Sequence, residues 1–189
     1  RRVENLVDVE QWMRIFAVEH IVGNWDAYGY NRGKNMYTYK PTEGKWSMMA
    51  WDIDFVLGLS SDGPTTDLFG CNDPTITRMY NHPPFRRAYW RAVEDAVNGP
   101  LVAANVSALV DAKYDALTAN GITLESPAAM EQWIASRRAY LVGQLAGVAS
   151  SFAITSNGGN NFSTGQNYLR HSGTAPIGVK IIEINGVSY

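Results

Sequence analysis

The sequence predicts an α+β fold, mainly helical, with one β-hairpin between the helices and a short β-rich tail. Three observations carry this. Apolar residues recur at helical spacing in four stretches, residues 36–52 alternate instead, and the texture changes from residue 150 onward. Composition supports a packed core, because 46% of the 189 residues are hydrophobic and 12% are aromatic, which excludes a disordered chain. Lys+Arg 16 against Asp+Glu 18 leaves a formal charge of −2, which argues against a broadly basic nucleic-acid-binding surface. The single cysteine, Cys71, excludes an intrachain disulfide and a cysteine-based zinc site. No apolar run is long enough to span a membrane. The chain starts Arg1-Arg2-Val3 without a Met or a signal-peptide pattern, and the expectation is a piece of a longer protein.

The first helix is bounded by its own chemistry. Asp8 serves as N-cap with Gln11 in the capping-box position, Trp12, Ile15, Phe16 and Glu19 share one side, and Gly23 is the C-cap. A loop dense in Asn, Gly and aromatics follows over residues 24–35. Residues 36–40 alternate, Pro41-Thr42-Glu43-Gly44 is a turn, and residues 45–52 return as the second strand of a hairpin. Residues 60–81 read as a long irregular segment with turns at Gly63-Pro64 and Asp73-Pro74. Three helices are expected next. One starts near Pro84 and stops at Asn98-Gly99-Pro100, one covers residues 103–119, and one starts at Ser126-Pro127 and sends Met130, Trp133, Ile134, Leu141 and Leu145 toward a core. The expected domains are residues 1–149 and a β-rich module opening at residues 150–189.

Chemistry concentrates in two segments. Asp26 and Asn31 lie in the loop after the first helix, and Asp52 and Asp54 lie at the end of the hairpin that starts just beyond that loop. A hairpin returns its far end near its start, so three carboxylates and an amide are expected to converge in one cleft. Such a cluster repels itself unless a cation compensates. Oxygen donors without thiolate favour Mg²⁺, Mn²⁺ or Ca²⁺. The order is more specific than the clustering. Asp-x-x-x-x-Asn, then a short hairpin, then an Asp before a Phe is the order of protein-kinase-like phosphotransferases, where a loop Asp orients the acceptor hydroxyl while Asn and a later Asp hold the metal ions on the phosphates.

Gly23-Asn24-Trp25-Asp26, Asn31, Asn35-Met36-Tyr37, Trp51-Asp52-Ile53-Asp54 and Gly58 resemble the CotH (spore-coat protein H) kinase family. The resemblance runs from about residue 3 to residue 145 and includes Pro84-Phe85-Arg86-Arg87-Ala88-Tyr89 and Arg137-Arg138-Ala139-Tyr140-Leu141. It implies a kinase-like C-terminal lobe without its N-terminal lobe, with activity of the parent protein rather than of this piece. It further implies Asp26 as catalytic residue, Asn31 as a ligand of metal and cofactor, and Asp52 or Asp54, or both, as the acidic ligand beside it. ATP and Mg²⁺ (or Mn²⁺ or Ca²⁺) are the implied cofactors, and a protein bearing a Ser or Thr hydroxyl is the implied partner. The implied location is extracytoplasmic or at the cell surface. The tail Ser172-Gly173-Thr174-Ala175-Pro176 followed by Ile184-Asn185-Gly186 looks like the start of an extracellular β-module.

Other readings stand beside these. Asp26 is also suited to capping a turn, Asn35 to a left-handed turn position, and Asp52 and Asp54 to ion pairs with Arg32 or Arg78. Trp25, Trp46 and Trp51 read as core packing, His20 as a satisfied core residue, and Arg86-Arg87 and Arg137-Arg138 as solvated helix faces or ion pairs. At the level of function, the alternatives are a non-catalytic surface module whose acidic loops hold a structural Ca²⁺, and a glycoside hydrolase fragment using paired carboxylates.

Overall fold

The computed structural model describes residues 2–30 and 34–189. The chain divides into two compact units, Arg1–Leu145 and Ala146–Tyr189. The class is α+β, with helices predominant and three two-stranded antiparallel sheets among the described residues.

In the first unit, a short helix α1 (Arg2–Leu6) precedes α2 (Val9–Val22). The expected caps of α2 are present. Asp8 accepts from the Gln11 backbone N–H at 3.2 Å, and Gly23 ends the helix at φ 74°, in the left-handed region that favours glycine. Gln11 does not complete a capping box. Its amide instead clamps the backbone of Met48, donating to the carbonyl at 2.6 Å and accepting from the N–H at 2.9 Å. Trp46 adds backbone bonds to Leu6 and Asp8, so the returning strand is fixed at the start of α2.

The hairpin pairs β1 (Met36–Tyr39) with β2 (Ser47–Ala50), Tyr37 opposite Met49 and Thr38 opposite Met48. The second strand is shorter than predicted. Asp52 has φ 58°, which breaks the alternation, so Asp52 and Asp54 do not share a strand face. Trp46 and Trp51 are exposed rather than packed in the core, and Trp51 sits edge-on to Tyr37.

Residues 60–81 are not irregular throughout. Helix α3 (Pro74–Asn81) begins where a turn was expected, because Asp73 accepts from the N–H groups of Thr75 and Ile76 at 2.7 and 3.0 Å and Pro74 fills the first position. Helices α4 (Pro83–Asn98), α5 (Ala103–Ala119) and α6 (Ala128–Val148) lie close to the predicted boundaries. The core lies where α2 packs on α4, with α3 against α4 and β2 against α2. Met13, Phe16, Leu68, Tyr80, Tyr89, Val93 and Leu141 fill it.

Arg137 is neither a solvated face nor an ion pair. It is 1% exposed and donates to four carbonyls: His20 (2.7 Å) and Ile21 (3.2 Å) at the end of α2, and Pro64 (3.0 Å) and Thr66 (2.7 Å) in the loop below. One guanidinium thus caps the last turn of α2, where the His20 carbonyl also accepts from Gly23 N–H, and pins a long loop. Arg86 lies over the Phe69 ring at 4.2 Å. His20 is buried among aromatic rings, with Nδ1 2.9 Å from the Phe16 carbonyl and Nε2 3.1 Å from that of Gly70, and burial lowers its pKa.

In the second unit, β3 (Ala153–Ile154) pairs with β4 (Gly173–Thr174), and β5 (Glu183–Ile184) pairs with β6 (Val187–Ser188). Among the described residues no helix is long and apolar enough to cross a membrane.

Candidate active site

The end of α2 launches the loop that carries Asp26. Gly23 turns the chain, Asn24 N–H bonds back to the Glu19 carbonyl at 2.9 Å, and Ala27 N–H bonds to the Asn24 carbonyl at 3.2 Å. This tight turn leaves Asp26 only 9% exposed. Its Oδ2 accepts from Asn35 Nδ2 at 3.0 Å and lies 2.7 Å from Lys34 Nζ. Asn35 also donates to the Asp26 backbone carbonyl at 3.3 Å. Asn35 has φ 60°, the left-handed turn position expected of it. It therefore does two things at once: it turns the chain into β1 and holds the carboxylate. Neither Lys34 nor Asn35 was marked as a functional contact by sequence reasoning; a second amide inside the Asn-rich loop was the available signal.

The far end of the hairpin returns to the same place. Leu57 N–H donates to the Val22 carbonyl at 2.8 Å, and Ser60 Oγ donates to the Gly23 carbonyl at 3.3 Å. Gly58, at φ 94°, lies against the Trp133 ring of α6, where a Cβ would come within 3.0 Å of the ring. Trp133 also meets Gly23 and donates from Nε1 to the Asp62 carbonyl at 3.2 Å. One aromatic side chain thus braces both the start of the Asp26 loop and the end of the segment bearing Asp52 and Asp54.

Asp52 and Asp54 are exposed, and neither takes an ion pair or hydrogen bond among the described residues. The alternative of an ion pair with Arg78 does not form, as Arg78 bonds to its own helix at the Pro74 carbonyl. Asn31 and Arg32 lie outside the described residues. Among the described residues, no three His, Cys, Asp or Glu side chains, Asp26, Asp52 and Asp54 included, come together as a metal-holding group. The donor set is nevertheless of hard carboxylate oxygens, the type that Mg²⁺ takes. Mg²⁺ needs only one or two such groups when substrate phosphates supply the rest.

Behind the loop, Glu19 and Asn24 are each 1% exposed, and Asn24 Nδ2 donates to Glu19 Oε2 at 2.6 Å. Burial raises the Glu19 pKa, opposed in part by that hydrogen bond. Tyr80 donates to the Gly29 carbonyl at 2.7 Å and closes the loop from below, and burial drives its phenol well above the ordinary value.

The recessed Asp26 and the segment that follows the exposed Asp52 and Asp54 are thus both tied to the C-terminal end of α2. The CotH kinase protein family model matches residues 1–141, and the chain belongs to that family. Neither the curated proteins nor the solved structures gave a match.

Proposed function

We propose that this chain carries the catalytic half of an ATP-dependent, CotH-type phosphotransferase, a C-terminal kinase lobe acting on Ser or Thr hydroxyls of a protein at the cell surface. The observation that carries this reading is that the chain on both sides of the hairpin returns to the Asp26 loop and the helix end that launches it: Asn35 before the hairpin bonds Asp26 itself, and Leu57 after it bonds Val22, the last residue of α2. Family membership supports the reaction class.

In this reading Asp26 is the base. Its carboxylate, held at Oδ2 by Asn35 and neutralised by Lys34, orients the acceptor hydroxyl and takes its proton as the hydroxyl oxygen bonds to the γ-phosphorus and ADP leaves. Asp52 and Asp54, together with Asn31, would hold the metal. A cation held there would supply charge neutralisation for the nucleotide phosphates. The exposure of Asp52 and Asp54 suits a cation that arrives with its nucleotide. A structural Ca²⁺ asks for six to eight oxygens, more than this exposed pair provides.

Calorimetry of the full-length protein with ATP tests the assignment of ligands. Binding that requires Mg²⁺ or Mn²⁺, and that weakens about ten-fold or more in Asp52→Asn or Asp54→Asn, is the expected result. Calcium-dependent melting with no response to nucleotide would favour the adhesion module instead.

A further inference from the structure

The Glu19–Asn24 pair has an unusual balance of donors and acceptors. Both side chains are 1% exposed, and their one mutual bond runs from Asn24 Nδ2 to Glu19 Oε2 at 2.6 Å. The other oxygen of each, Glu19 Oε1 and Asn24 Oδ1, is buried without a hydrogen-bond partner. An ionised carboxylate is acceptor-only, and no basic side chain pairs with Glu19 among the described residues. Two orphan acceptors and an uncompensated buried charge are each strongly unfavourable in a site shut off from water. One proton on the Glu19 carboxyl removes the charge and turns one of the two orphan acceptors into a donor.

We propose that Glu19 is held as the neutral acid and, hydrogen-bonded in both directions to the Asn24 amide, is the positioning residue that sets the loop bearing Asp26. The pair closes as a ring, with amide N–H to Oε2 and acid O–H to Oδ1. Asn24 is thereby fixed at its side chain as well as at its backbone, where its N–H bonds to Glu19 and its carbonyl accepts from Ala27. The residue two positions on is Asp26, so the acid acts on the reacting groups only through Asn24. The raised Glu19 pKa is consistent with this state. The titratable groups around Glu19 do not compete for the proton. Tyr80 on α3 donates its hydroxyl to Gly29, and the His20 ring nitrogens face the Phe16 and Gly70 carbonyls, to one of which the neutral ring donates. The inference deepens the phosphotransferase reading in its link to Asp26 and rests on that reading there; the neutral pair itself does not.

Infrared difference spectroscopy of the full-length protein at pH 7, wild type against Glu19→Gln, reads the protonation state directly. A protonated-carboxyl band that disappears in the variant is expected. Its absence from the wild type would overturn the proposal in favour of an ionised carboxylate bridged by water. Glu19→Gln reproduces both hydrogen bonds of the ring, so it should keep phosphoryl transfer within about two-fold. Glu19→Ala should lose about 10–100-fold in kcat with KM for ATP nearly unchanged. Equal loss in Gln and Ala would mean that the charge is required, and would sink the idea. Amide hydrogen exchange over residues 24–30 gives a readout free of catalysis: protection should fall in Glu19→Ala and persist in Glu19→Gln. If the wild type transfers no phosphate while the band and the protection pattern appear as stated, the neutral pair and its hold on the loop stand, and only the kinase reading falls.

Discussion

Asn35 shows how one residue can serve backbone and chemistry together. Its φ of 60° is costly for most side chains and mild for Asn, and its amide reaches Asp26. Asn35→Gly keeps the backbone conformation and removes only the amide. The variant should melt within a few degrees of wild type and lose about ten-fold in kcat; a loss confined to KM for ATP would assign Asn35 to nucleotide binding instead. Asp26 was legible in the sequence because Asn-x-Asp after a capped helix is a local pattern. Its partners were less so, since the Asn35 contact depends on a turn that only the folded loop defines. Glu19 was visible as one more position on the apolar side of α2, but its pairing with Asn24 across the Gly23 turn was not. Trp46 and Trp51 went the other way: hydrophobic type suggested core, yet the hairpin leaves both exposed.

Among the elements, α2 organises the site from both ends. Its start holds β2 through Gln11, and its last turn is capped by Arg137 from α6. Arg137→Leu removes the donor to the Ile21, Pro64 and Thr66 carbonyls and leaves that of His20 with only its bond from Gly23 N–H, so it should destabilise the protein by about 3 kcal/mol or more in urea unfolding. Arg138→Leu, which removes one bond to the Val97 carbonyl, should cost about 1 kcal/mol. Equal effects of the two would show that Arg137 is not the fastener. The helix boundaries were readable because end signals are local: Asp8 accepts from a first-turn N–H, Gly23 takes the left-handed turn, and the Pro-led starts carry no N–H there to satisfy. Helix α3 was missed because Asp-Pro signals both a turn and a helix start, and eight residues give little periodicity to decide between them. The burial of Arg137 depends on carbonyls more than seventy residues away in sequence, and no local pattern announces it.

At the scale of the whole molecule, two buried groups of the first unit tilt stability with pH in opposite directions. His20 has a lowered pKa because burial disfavours its charge, so the unfolded chain takes up a proton first as pH falls through 6.5. Stability from His20 is therefore complete above that pH and declines below it. Glu19 has a raised pKa, so the unfolded chain releases its proton first as pH rises past 4.5. Its neutral form favours the fold in acid, and that advantage is lost as pH climbs toward the folded value. Thermal melts of wild type and Glu19→Gln should therefore coincide near pH 4 and separate toward pH 7, with the variant the more stable; a constant offset would contradict a titrating Glu19. The family match, residues 1–141, falls inside the first compact unit, the one that holds Asp26, Asp52 and Asp54. The central claim is that Asp26 serves phosphoryl transfer, and the most direct measurement is transfer from labelled ATP with Mg²⁺ or Mn²⁺ by the full-length protein and its Asp26→Ala variant. Incorporation by the wild type that falls at least about a hundred-fold in the variant, with nucleotide binding retained, is the predicted result. Equal incorporation by both proteins, or none by either across itself and a panel of Ser- and Thr-bearing acceptors, would contradict it.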